Sequence, residues 1–336
     1  VSPAWLDGLA APERDRVGRA AMPKGADLMK ATLTHEPFSD PDWVYERKLD
    51  GERVLAVKQG EDVRLLTRND KDAGAPYPEI AEALATQSVG ALAVDGEVVA
   101  FEGRVTSFSR LQKRMQKRDP EEARASGVAV YYYAFDILNL EGYDVTALPL
   151  RRRKALLRGA LAFGGPLRFT PHRREGGEAY LKEACEKGWE GLIAKRAEAP
   201  YVAARSRDWL KFKCTRGQEL VIGGFTEPQG SRQGFGALLV GYHEGERLRY
   251  AGKVGTGYDD ETLADLRRRM DKLERQTSPF DEPVKESGAH FVTPALVGEF
   301  GFTEWTEDGK LRHPRFLGLR RDKPAREVVR EEGGAR

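Results

Sequence analysis

Glu46-Arg47-Lys48-Leu49-Asp50-Gly51-Glu52-Arg53 sets a lysine between two apolar runs. Trp43 and Tyr45 precede it and Val54-Leu55-Ala56-Val57 follows, the composition of half-buried strands. Asp50-Gly51 supplies a turn. Lys48 is therefore expected at a strand end beside a tight turn, not on a solvated helix face. A lysine held there is costly unless paired, and burial or nearby cations lower its pKa. That is how an amine becomes a nucleophile at neutral pH. Taken alone, Lys-x-Asp-Gly fits a surface lysine on a hairpin better than a nucleophile, so its weight depends on partners elsewhere in the chain.

The chain has 336 residues, enough for two domains at roughly 100–200 residues each. Its formal net charge is +2, so no overall preference for nucleic acid follows. Cys185 and Cys214 lack Cys-x-x-Cys spacing, which argues against a disulfide framework and a zinc site and for a reducing cytosol. No apolar run reaches spanning length, no signal peptide opens the chain, and no membrane association is expected. The start at Val1 is that expected of a domain cut from a longer protein.

Residues 1–27 read as a lead-in or linker. Residues 43–68 read as three strands, and Ala91 to Phe101 as a strand pair pivoting on Asp95-Gly96. Helical spacing is expected from Pro78 to Gln87, Thr106 to Arg118, Leu150 to Ala160 and Gly177 to Lys187. Val128 to Leu138 is the most apolar strand and is expected to be central. This makes an α+β region, 28–215, with helices on antiparallel sheets. From residue 216 to 336 the strands become short and glycine-rich, with one helix from Asp260 to Leu273 capped by Asp259. That pattern suits a partly open oligonucleotide-binding (OB-fold) barrel.

Five stretches supply partners for Lys48. The carboxylates of Asp95-Gly96-Glu97 suit a ribose hydroxyl or a divalent metal, or else an ordinary hairpin. In Phe135-Asp136 the ring suits stacking on a base or plain core packing, while Asp136 in so apolar a strand needs a partner. Glu190-Gly191-Leu192-Ile193-Ala194-Lys195 brackets an apolar run with opposite charges. In Trp209-Leu210-Lys211-Phe212-Lys213 both lysines point to one face with Trp209, a costly arrangement unless an anion such as phosphate lies between them. Arg315 to Lys323 interleaves cations with Phe316, Leu317 and Leu319.

The order and combination of these stretches resemble the motif series of the covalent nucleotidyltransferases. Over residues 28–325 the chain is similar to the ATP-dependent DNA ligases, and in detail to the ligase domains of bacterial end-joining ligases of the ligase D type. The finer likeness rests on 38–43, 228–232, 250–257 and 312–320. The resemblance implies that Lys48 attacks the α-phosphate of ATP to give lysyl-AMP, with Lys195, Lys211 and Lys213 lowering its pKa and stabilising the phosphate. It implies further that Phe135 stacks on adenine, that Glu46 reads the adenine edge, and that Asp50 and Arg53 belong to the nucleotide site. Arg68 would lie near the ribose or nick phosphate, Glu97 at the ribose or the metal, and Glu190 at Mg2+ or Mn2+. AMP would pass to the 5′-phosphate of a nick and the 3′-hydroxyl would displace it. Arg320, Asp322 and Lys323 would orient the pyrophosphate, with a hinge at Arg216-Gly217-Gln218.

Implied partners are nicked or broken duplex DNA, the end-binding protein Ku, and polymerase or phosphoesterase domains, for a monomer in the bacterial cytoplasm at the nucleoid. Arg312-His313-Pro314-Arg315 and the extra Arg321 depart from the family pattern and leave open which arginine meets the leaving group. Other readings are an RNA ligase, a capping guanylyltransferase using GTP, and an inactive nick-binding module.

Overall fold

A computed structural model of the chain describes residues 3–34, 36–214, 217–228, 233–302, 304–321 and 323–331. The chain divides into two units, Val1–Cys214 and Thr215–Glu332, each built on its own core. In the first unit the strand Trp43–Lys48 sends Trp43, Tyr45 and Arg47 to one side and Val44, Glu46 and Lys48 to the other. Trp43 and Tyr45 bury with Phe38, Leu192, Leu210 and Phe212 against Tyr180 and Ala184 of the helix Gly177–Glu186. Hydrophobic burial thus fixes the back of this sheet and leaves Glu46 and Lys48 on its front.

This lysine sheet has five strands, in the order His172–Arg173, Trp43–Lys48, Gly191–Arg196, Arg205–Lys213, Lys30–Leu33. Its register aligns Lys48 with Gly191 and Gly191 with Lys213. The next ranks are Glu46, Ile193, Lys211 and then Val44, Lys195, Trp209. Directly paired residues share a face, so one front carries Glu46, Lys48, Lys195, Lys211 and Lys213. Gly191 has φ 150°, and a Cβ there would meet the Phe212 carbonyl oxygen at 1.8 Å. Only glycine fits between the two lysines of the outer rank.

A larger sheet of eight strands runs Gly18–Arg19, Tyr143–Asp144, Val130–Leu140, Ala91–Glu102, Glu52–Gln59, Asp62–Thr67, with Leu167–Phe169 and Val105–Thr106 added beside the central strands. Helices Pro78–Ala85, Phe108–Met115 and Leu150–Ala160 contribute Ile80, Leu84, Phe108, Leu111 and Leu157 to the core on its back. Its front meets the lysine sheet along a smaller apolar seam that includes Leu55, Val57, Leu138, Tyr201 and Trp209. The charged front of the lysine sheet therefore opens beside the larger sheet.

Several expectations change here. Asp50-Gly51 does not close a hairpin, because Trp43–Lys48 and Glu52–Gln59 belong to different sheets. Gly51 packs on the Val98 carbonyl, where a Cβ would come within 2.1 Å, and the chain passes from one sheet to the other. Ala91–Glu102 is one strand and not a pair pivoting on Asp95-Gly96. Gly96 lies under the Tyr132 ring, whose hydroxyl donates to the carbonyls of Val94 (2.7 Å) and Val54 (3.0 Å). The glycine makes room for a tyrosine rather than a turn. The lead-in packs onto the first unit: Leu6 and Leu9 join its main core and Gly18–Arg19 pairs with Tyr143–Asp144.

Cys185 and Cys214 form a disulfide, against the expectation from their spacing. The cause is tertiary. Helix Gly177–Glu186 leads into the Gly191–Arg196 strand, the Cys214 amide donates to the Glu190 carbonyl (2.9 Å), and the two Cα atoms end 5.1 Å apart.

In the second unit, Gly217–Thr226 pairs with Leu238–Glu244 and Ala289–Gly301, which in turn pairs with Arg315–Arg320. Register shifts at Ile222/Gly224, Val240/Gly241 and Glu299/Phe300 bend these strands as a small barrel requires. Helix Asp260–Asp271 is capped by the Asp259 carboxylate, which accepts from the Thr262 amide.

The disulfide closes a loop with a sequence separation of 29. Cys185→Ser should cost the first unit about 3 kcal/mol, read as a lower urea midpoint in oxidising buffer. An unchanged midpoint would mean that the thiols do not pair in solution.

Candidate active site

Lys48 Nζ lies 2.5 Å from Glu190 Oε1. Burial works to lower the Lys48 pKa, but the Glu190 carboxylate outweighs burial and the nearby Lys213, and the pKa is raised above its ordinary value. This corrects the expectation that neighbouring cations depress it. At 2.5 Å one carboxylate acts more strongly than cations farther off. Asp50, in the turn beyond, adds to the upward shift.

One rank inward, Glu46 is 2% exposed and held by two ammoniums, Lys154 Nζ at 2.5 Å and Lys195 Nζ at 2.7 Å. Burial would raise its pKa, yet these two cations hold it below the usual carboxylate range. Lys195 lies 4.2 Å from the Phe135 ring centroid and 4.0 Å from that of Trp209, a desolvated cation–π pair. Burial pushes its pKa down, helped by Lys154.

Phe135 owes its position to a bulge. Asp95 pairs with Asp136 and Gly96 with Ala134, so Phe135 is an extra residue with no partner across the ladder. Asp136 is fully buried and meets Arg153 through two bonds, Nε to Oδ1 (2.7 Å) and Nη2 to Oδ2 (2.9 Å). Arg153 also donates to the carbonyls of Leu148 (2.5 Å) and Ala199 (3.1 Å). Asp95 is likewise fully buried. It accepts from Arg53 Nε (2.9 Å) and Nη2 (2.5 Å) and from the Tyr201 hydroxyl (2.7 Å). Asp95 is therefore spent on fixing Arg53, and its carboxylate does not face a ribose or a metal. Arg53, whose pKa is raised by Asp95 despite its burial, reaches within 5.5 Å of the Phe135 and Trp209 centroids.

Glu97 is paired in register with Arg53 and Tyr133 and is half-buried on the same face. Arg68 is half-buried in the turn that ends the edge strand Asp62–Thr67. Lys211 and Lys213 are half-buried on the front of the lysine sheet. In the second unit, Arg320 and Lys323 both meet Glu219, Arg320 at 3.9 Å. Asp322 and Arg216 lie outside the described residues.

Sequence reasoning missed Arg153, Lys154 and Tyr201. The signal for the first two was available. Leu150, Arg153, Lys154 and Leu157 follow i, i+3, i+4, i+7 and are the buried face of their helix.

Glu97 and Glu190 are the carboxylates that suit a divalent ion. Among the described residues no three His, Cys, Asp or Glu side chains converge into a metal cage. One or two carboxylates completed by substrate phosphates is the pattern Mg2+ accepts, so the residues fit.

Residues 26–213 match the family model of the ATP-dependent DNA ligase domain, and residues 231–323 that of the ATP-dependent DNA ligase C-terminal region. The chain belongs to the ATP-dependent DNA ligases. It is 39% identical over 324 residues to the multifunctional non-homologous end joining protein LigD of Pseudomonas aeruginosa, covering 94% of this chain and 38% of that protein. It is 37% identical over 300 residues to the LigD of Mycobacterium tuberculosis, covering 86% and 37%. The chain thus spans less than half the length of these relatives. A solved structure of mycobacterial DNA ligase D complexed with ATP and MES aligns at TM-score 0.66 and 34% identity, over 90% of this chain and 98% of that one. The ligase assignment matches the two-part architecture: mixed sheets with flanking helices, then an OB-fold barrel. No helix among the described residues is long and apolar enough to cross a membrane.

Arg153→Met would strand a buried carboxylate and two carbonyls. It should destabilise the first unit by about 3–5 kcal/mol, measured by urea unfolding. A loss under about 1 kcal/mol, the range of exposed pairs, would contradict the burial described.

Proposed function

We propose that this chain seals 5′-phosphate/3′-hydroxyl nicks and breaks in DNA through lysyl-AMP and DNA-adenylate intermediates. The observation that carries the reading is the rank Lys48–Gly191–Lys213 with Glu190 on Lys48. A nucleophile and a second cation stand in one line, with a glycine between them that packs against the Phe212 carbonyl. Lys48 gives up its proton to solvent, attacks the α-phosphate of ATP and forms a P–N bond as the bond to pyrophosphate breaks and pyrophosphate leaves. Until then the pair with Glu190 keeps the amine protonated and unreactive. Lys195, Lys211 and Lys213 supply positive charge where negative charge grows on the phosphate. Phe135 offers a face for the base, Glu46 an edge, and Arg53, locked by Asp95, is a pre-set donor for the ribose or phosphates. Glu97 and Glu190 would hold Mg2+ or Mn2+, which would neutralise phosphate charge. Arg68 is assigned to the nucleotide's ribose and the nick phosphate, and Arg320, Asp322 and Lys323 to the leaving group.

The relatives' names support a role in double-strand break repair by end joining. There the partners are broken duplex DNA, Ku, and polymerase or phosphoesterase domains, in the bacterial cytoplasm at the nucleoid.

Intact-mass spectra test this. The wild-type chain should gain one AMP with magnesium and ATP and lose it to pyrophosphate or a nicked duplex. Lys48→Ala should gain none. An adduct from GTP but not ATP would make the chain a capping enzyme. No adduct from any nucleotide would leave only binding.

A further inference from the structure

Lys154 lies in none of the motifs that carried the ligase likeness, yet its side chain is only 3% exposed. A buried ammonium has to spend its donors well, and all three are engaged. They go to Glu46 Oε1 (2.5 Å) and to the carbonyl oxygens of Thr170 (3.1 Å) and Phe135 (3.4 Å). One cation thus ties together three segments: the lysine strand, the bulged strand of Phe135, and the end of the 167–170 segment. Its own helix is fixed by the neighbouring Arg153–Asp136 pair. Two polar atoms beside it are buried with no hydrogen-bond partner, Thr170 Oγ1 and His172 Nδ1, and His172 is paired in register with Glu46.

We propose that Lys154 is a positioning residue that sets base preference, by holding Glu46 as a fixed acceptor for an exocyclic amine. The inference rests on the reading of Glu46 as the contact to the base edge. With an ammonium on each oxygen, Glu46 stays ionised and can only accept. A base with an amino group at position 6 donates to it. A 6-oxo base turns a lone pair toward the same carboxylate and is repelled, and Lys154 has no donor left to satisfy that oxygen. Selectivity then comes from leaving the wrong base unpaired, the stronger form of discrimination.

The test compares covalent adduct formation from ATP, GTP and ITP (the 6-oxo analogue without an amine) in wild type, Lys154→Met and Lys154→Arg. Lys154→Met should lose about tenfold or more of the ATP-over-ITP preference, mainly through a higher KM for ATP. Lys154→Arg, which keeps the charge but not the compact geometry, should fall between. Combined with Glu46→Gln, Lys154→Met should change the preference no further. A folded Lys154→Met that keeps the wild-type preference, or slows ATP and ITP by the same factor, would overturn the proposal. If Lys154→Met does not fold, an unchanged preference in Lys154→Arg overturns it. A wild-type chain that forms no adduct would sink the role of Lys48 alone, and the ATP and ITP comparison would then be read from binding calorimetry on the same variants.

Discussion

Four lysines share one face of a single sheet, and the carboxylates set against them decide how the site behaves. Lys48, Lys195, Lys211 and Lys213 are brought together by strand register, whereas the chain separates them by as much as half its length. Left alone they would repel. Glu190 answers Lys48 and Glu46 answers Lys195, each at hydrogen-bond distance. Two of the four are thus closed into ion pairs by carboxylates of the same sheet region. The Glu190 carboxylate holds the Lys48 ammonium in its charged form, against the pull of burial.

A different pair of ion contacts gives the site its rigidity. Arg53–Asp95 and Arg153–Asp136 are both bidentate, and both carboxylates are fully buried. Such pairs add little net stability compared with apolar residues of similar size, but breaking one is expensive. Their value lies in geometry. One orients a guanidinium beside the Phe135 and Trp209 rings, and the other clamps the helix that delivers Lys154 to Glu46.

Much of this was legible in the sequence because each motif contains residues that make little sense apart. Lys211 and Lys213 two apart on an apolar strand, or Asp136 in the most apolar run, ask for partners that a soluble surface would not need. The misreadings have one cause in common. Asp-Gly chemistry is the same whether a chain returns to its own sheet, as a hairpin does, or crosses to an opposing one, as at Asp50-Gly51. The pairing of Cys185 with Cys214 depends on where a helix and a strand end in space, and spacing carries no trace of it. The direction of the Lys48 shift hung on one distance, to Glu190, that no pattern supplies. Arg153 and Lys154 lie inside the basic run Arg151-Arg152-Arg153-Lys154. A basic run on a helix reads as a solvated face, although Leu150 and Leu157 mark the buried stripe on which those two cations fall.

The bulge at Phe135 separates two kinds of constraint that most strand residues carry together. An ordinary residue in a central strand has a cross-strand neighbour, so changing it disturbs pairing as well as contact. Phe135 has none, while Ala134 and Asp136 on either side keep theirs. The contacts of this ring are therefore set apart from the register that holds Asp136 against Arg153. The strand keeps its ladder in the neighbours of Phe135 and leaves the ring to its side-chain contacts with Lys195, Arg53 and Trp209.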